Sequence, residues 1–200
     1  MKKLLISFGI VVALIVWLAL GLFGWINGAY NGFVSTGQRT DSQWAQVENV
    51  YQRRIDLIPN LVEATKGIFE QEREVFGAIA EARTHYAGTQ PNTPEKVEAT
   101  NQLESALARL MVIIENYPQL RSSEVVSNLM FEMAGTENRI TVERQRYNEV
   151  VQVYNIQTKT FIGRFIATFF GFKEKPYFKA ITIGAEVAPK VNLSLKGATT

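Results

Sequence analysis

Gln52-Arg53-Arg54-Ile55-Asp56-Leu57-Ile58-Pro59-Asn60-Leu61-Val62-Glu63 is the stretch whose reading decides the fold. Apolar residues at Trp44, Val47, Tyr51, Ile55, Ile58, Leu61 and Val62 recur three and four apart, the stripe of a helix that faces a core. Pro59 lies inside that pattern, where it removes a backbone hydrogen bond and crowds the preceding turn at a cost of roughly 3 kcal/mol. Packing or caps must offset this cost, and a kink near Asp56 is expected. Arg53 and Arg54 one turn earlier, and Asn60 one step later, place hydrogen-bonding groups beside the freed carbonyls, which predicts a polar seam.

This dodecamer, with Tyr30-Asn31-Gly32-Phe33-Val34 and Trp44 before it, resembles the LemA family of bacterial membrane-anchored helical proteins. Glu115-Asn116-Tyr117-Pro118-Gln119-Leu120, Gly135-Thr136-Glu137-Asn138-Arg139-Ile140, Tyr147-Asn148, Tyr154-Asn155, Gly171-Phe172 and Tyr177-Phe178 look like that family's later motifs in the same order, so the resemblance covers 30–178. The chain departs from the family at Phe161-Ile162, where relatives tend to carry Phe-Pro. The resemblance implies a fold and a membrane address but no reaction, because the family has no generally assigned catalytic activity.

Composition sets further bounds. Two hundred residues with 46% hydrophobic content supply one membrane span and one domain able to bury its own core. A net charge of +2 makes nucleic acid a poor partner, since no global basic field exists to hold phosphates. The absence of cysteine excludes disulfides, thiolate nucleophiles, thiolate metal sites and lipid acylation at Cys. His85, the one histidine, removes His-based metal clusters.

Toward the N-terminus, an uncharged run over 4–38 is dense in Leu, Ile, Val and Phe up to Trp25, enough to cross a ~30 Å hydrocarbon core. A retained anchor fits better than a cleaved signal peptide, whose apolar region is shorter and followed by a small-residue cleavage site. Lys2 and Lys3 precede the span and Arg39 is the first positive charge beyond it. The positive-inside rule then puts the N-terminus inside the bacterial cytoplasmic membrane and the domain outside. Trp25 and Tyr30 suit the headgroup level, and Trp17 is either interfacial or lipid-facing. Gly24, Gly28 and Gly32 read as a small-residue helix-packing face at the membrane exit or, with Gly37, as a hinge in a neck over 26–39.

The soluble part, 40–178, is expected to be all-α, a long antiparallel helical bundle. Its first helix should cover 40–66 with Asp41 or Ser42 as cap, and its second 68–86 with Phe69, Val75, Phe76, Ile79 and Tyr86 on one side. The loop 87–94 is the clearest in the chain, and Thr93-Pro94 opens a third helix that Tyr117-Pro118 stops. Ser122 or Ser123 restarts a fourth helix of about 35 residues, ~50 Å long, with a nearly heptadic stripe from Val126 to Tyr154. Thr136, Glu137, Asn138 and Glu143 interrupt that stripe near its middle. They are predicted to face Arg53, Arg54, Asp56 and Asn60, a network that fixes register more than it adds stability.

Phe161, Phe165, Phe169 and Phe172 share one face of the next segment, flanked by Arg164, Lys173 and Lys175. That face either packs over the end of the bundle or enters a membrane interface. The tail, 179–200, is expected to be β-like, with Val191, Leu193 and Leu195 alternating.

Chemistry is hard to find in this chain. Carboxylate-bridged metal sites in bundles need Glu-x-x-His, and here Glu81 stands four before His85. No phosphate-binding Gly loop, Gly-x-Ser-x-Gly or His-Glu-x-x-His is present. Glu63, Glu70, Glu72, Glu74 and Glu81 read as a solvated helix face. The expectation is a cofactor-free, non-enzymatic scaffold in the lipid bilayer that self-assembles as a homo-oligomer. The alternative is an accessory subunit of another membrane protein, a protease or transporter, docking through the Phe161 face.

Overall fold

A computed structural model describes the backbone of residues 2–68 and 70–179, and side chains from Phe8 onward except Phe69. The described chain is helical apart from its turns and a final extended segment. In chain order come α1 (Lys2–Ala64), a single 3-10 turn (Lys66–Ile68), α2 (Arg73–Gly88), α3 (Pro94–Asn116), α4 (Pro118–Arg121), α5 (Glu124–Lys159) and α6 (Phe161–Phe170). Phe69 and the β-like tail beyond Lys179 lie outside the described residues.

Residues 26–39, expected as a neck, are helical, because α1 runs as one 63-residue helix from the apolar span into the bundle. Asp41 and Ser42 are therefore mid-helix and cap nothing. Glycine costs a helix interior only about 1 kcal/mol, and Phe33, Thr40, Trp44 and Val47 are buried on the same helix, so packing carries α1 through its glycines. The helix also passes Pro59, which sits on the exposed side five residues before its end. Ile55, Ile58 and Leu61 around it are buried, and at about 1.5–3 kcal/mol per buried large apolar side chain they outweigh the proline.

The second difference lies at 65–72. Thr65 turns its hydroxyl back onto the Leu61 carbonyl at 2.7 Å, the chain tightens into the 3-10 turn, and α2 starts only at Arg73. Both predicted starts further on hold: the Thr93 hydroxyl accepts from the Lys96 amide with Pro94 in the first turn of α3, and Ser123 precedes α5.

The bundle has two antiparallel pairs. Along α1 and α5, Thr36 meets Gln157, Trp44 meets Tyr147 and Arg54 meets Glu137, so the two run in opposite directions over most of α5. The α2–α3 hairpin packs on this pair and supplies Phe76, Ile79, Leu103, Leu107, Leu110 and Ile114 to one continuous core. A smaller cluster of Phe33, Tyr154, Ile166 and Ala167 joins α6 to the α1–α5 pair at the end next to the apolar span.

Candidate functional site: a buried charge cluster and a membrane-proximal aromatic end

Arg54 is the centre of the polar arrangement. Only 5% of its surface is accessible, because it lies on the same face of α1 as Tyr51, Ile55 and Ile58. One nitrogen, Nη1, serves two carboxylates: Glu104 of α3 at 3.2 Å and Glu137 of α5. A buried cation needs such partners, since an uncompensated charge in the interior costs several kcal/mol. Burial pushes the Glu104 carboxyl above its usual range, although Arg54 opposes it. Burial pulls the half-exposed Glu137 upward as well, but the hydrogen bond and charge of Arg54 prevail and hold it below the ordinary value. The two acids are thus shifted in opposite directions, Glu104 upward by burial and Glu137 downward by Arg54.

Arg144 completes the cluster from α5. Its guanidinium carbon stands 4.8 Å from the ring centre of Phe178 and 5.5 Å from that of Tyr51, a cation–π placement between two rings. Burial raises the Tyr51 hydroxyl well above its normal pKa, with the Glu104 charge adding to the effect. Arg54, Glu104, Glu137 and Arg144 line a groove of about 830 Å³ with Phe178 and Lys179.

Of the residues expected to form the polar seam, the structure brings Arg54 and Glu137 together. Arg53, Asp56, Pro59, Asn60 and Asn138 lie on exposed faces, and Asp56 accepts a hydrogen bond from Gln52 one turn earlier on its own helix. Glu143 reaches α1 elsewhere, accepting from Gln43 at 2.7 Å. Glu104 was missed because its helix otherwise reads as an ordinary amphipathic one. A glutamate one step from Leu103 in the apolar stripe was the available signal.

Asparagines do more than sequence reasoning assigned to them. Asn155 donates to the Lys175 carbonyl and accepts from the Lys175 amide, both at 2.9 Å. Asn148 does the same for Phe178 at 2.8 and 2.9 Å. Seven residues apart on α5, they hold the extended segment after α6 as a neighbouring strand would. Phe178 is thereby laid flat on Trp44, ring centres 5.4 Å apart and planes within 4°. Asn92, in a left-handed conformation at φ 59°, ties the α2–α3 loop to both long helices by donating to Asp41 and accepting from Tyr147 at 2.7 Å.

At the other end, α6 divides its faces sharply. Gly163, Ile166 and Ala167 are buried against α5 and α1, whereas Phe161, Phe165 and Phe169 are 94%, 74% and 74% exposed. Phe172 does not continue this exposed row. Left-handed Gly171 (φ 77°) turns the chain back, and Phe172 stacks on Phe33 at 4.9 Å and packs against Tyr30. Gly32 and Gly37 face α5 beside Gln157 and Tyr154, while Gly24 and Gly28 have open space where a Cβ would stand.

His85 is exposed and bonded to Gln102 at 2.8 Å, and no metal-holding group of His, Cys, Asp or Glu occurs among the described residues. Within α1 lies a stretch long and apolar enough to cross a membrane, with an 18-residue mean hydropathy of 2.5 and none of that window buried.

Magnetosome protein MamQ 2 of Paramagnetospirillum magneticum is 26% identical over 175 residues, 75% of this chain and 64% of its own length. Magnetosome protein MamQ of Magnetospirillum gryphiswaldense is 25% identical over 174 residues, 74% and 64%. Protein LemA of Metamycoplasma hominis is 21% identical over 145 residues, 72% and 66%. The chain thus spans just under two thirds of the MamQ proteins. The LemA family pattern matches residues 43–193, from the residue before Trp44 past the last described residue, and the chain belongs to the LemA family.

Proposed function

We propose that this protein is a non-enzymatic scaffold of the bacterial cytoplasmic membrane, anchored by residues 4–25 with the lysine-bearing end of the span inside and the bundle outside, and that it self-assembles. The carrying observation is the continuity of α1. A 63-residue helix is ~95 Å long at 1.5 Å per residue, so the bundle is coupled to the span without a joint. A hinge would suit a tethered enzyme that searches for substrate, whereas a stiff rod holds a surface at fixed height and angle. Membership of a family whose relatives include magnetosome proteins supports a membrane role by analogy. Gly24 and Gly28, open on one side of α1, give the span a surface on which a second copy packs closely.

The test is the mass of the full-length chain in mild detergent by light scattering corrected for detergent, beside Gly24→Leu and Gly28→Leu. A defined oligomer that these substitutions dissociate supports the scaffold. A monomer in the unsubstituted protein overturns self-assembly and favours an accessory subunit of another membrane protein.

A further inference from the structure

We propose that α6 is a lipid-binding element that lies in the membrane interface, with Phe161, Phe165 and Phe169 inserted among lipid chains. The inference rests on the membrane-anchored reading above and adds a second, peripheral attachment to it. The position of α6 along α1 carries the argument. Residues 4–25 rise ~33 Å as a helix, the thickness of a bilayer core, which puts Trp25 at the headgroups. Trp25 lines one groove together with Phe161, Arg164 and Phe165, and Tyr30 touches Phe170 with ring centres 4.9 Å apart. The fold therefore fixes the exposed aromatic face beside the point where the span leaves the hydrocarbon.

Chemistry points the same way. Three phenylalanines 94%, 74% and 74% exposed on one face are far more apolar surface than a wet helix end tolerates, and they continue the lipid-facing surface of α1. Arg164 and Lys173 around them are exposed cations, suited to the phosphates of anionic lipids at the depth of an amphipathic interfacial helix, while the nearby Lys159 pairs with Glu174 at 3.0 Å. The buried side, Gly163, Ile166 and Ala167, is already used on the bundle, so the phenylalanine face is left to the lipid.

The chain has no cysteine, so single Cys variants of the full-length protein take a spin label cleanly. We would label Phe165→Cys and Phe169→Cys in vesicles of phosphatidylcholine and phosphatidylglycerol and compare accessibility to oxygen, which enters lipid, with that to a water-soluble nickel complex. Leu14→Cys in the span and Phe131→Cys, 81% exposed on α5 at the far end of the bundle, are the references. The expected result is a severalfold higher oxygen-to-nickel ratio at 165 and 169 than at 131, approaching that at 14. A ratio like that of 131 overturns the inference while a lipid-like 14 keeps the anchor. Protection of 165 from both reagents overturns it in favour of a protein covering the face, and a water-like 14 refutes the anchor itself, and this inference with it.

Discussion

The guanidinium of Arg54 stands 3.2 Å from the carboxylate of Glu104, joining α1 to α3 through the interior of the bundle, and the same nitrogen also binds Glu137 of α5. Three helices therefore converge on one buried cation. Such a group secures helix register, because sliding α1 or α3 by a turn separates the buried Arg54 and Glu104.

Arg54→Ala should destabilise the full-length protein by about 3 kcal/mol, the usual cost of breaking a buried pair. Arg53→Ala, one residue away and exposed, should change stability by less than ~0.5 kcal/mol. Denaturant unfolding in detergent followed by circular dichroism measures both. Equal effects of the two substitutions would remove Arg54 from its structural role.

The two glutamates should give stability opposite dependences on pH. Glu137 is held below the usual carboxylate range, so its contribution is present above the unfolded value of about 4.3 and is lost as pH falls through the folded one. Glu104 is raised by burial, so its contribution is full below that unfolded value and is lost as pH rises through the folded one. Glu137→Gln should therefore lag the unsubstituted protein at neutral pH and match it in acid, whereas Glu104→Gln should gain on it as pH rises. Melting temperatures across the acid range would reveal parallel profiles if the split were absent.

Asn92 combines a left-handed backbone with contacts to Asp41 and Tyr147. Asn92→Gly loses the hydrogen bonds, about 1 kcal/mol each, but keeps the conformation. Asn92→Ala should cost a further ~1 kcal/mol for the strained φ. The order of unfolding midpoints, Asn above Gly above Ala, checks the assignment.

Two glycine-to-alanine changes should differ in sign. At Gly163 a Cβ would fall 1.8 Å from the Gln157 carbonyl oxygen, so Gly163→Ala must push α6 off α5, at ~1–3 kcal/mol or more. At Gly135, exposed in α5 with nothing within 4 Å, Ala should stabilise by about 0.5–1 kcal/mol through helix propensity. Thermal unfolding reads both.

Much of this protein was legible in its order of residues. The apolar run up to Trp25, the core stripe from Trp44 to Val62, the Thr93-Pro94 start and the Tyr117-Pro118 stop each follow from local physics: hydrocarbon thickness, helical period, capping and the missing amide of proline. Spacing also placed three phenylalanines on one face of α6. Tertiary structure alone decided what period and propensity leave open. Glycines at 24, 28, 32 and 37 read as a neck, yet α1 stays helical through them, with Phe33 packed on Tyr154 and Ile166 and Trp44 on Tyr147, because burial of long-range partners outweighs a local propensity of about 1 kcal/mol per glycine. Of the charged residues around Arg54, only contact across helices could select Glu104 and Glu137 as partners and leave Arg53 and Asp56 to water. Sequence spacing says which residues share a face; which face meets another helix is settled when three helices must bury a single surface together.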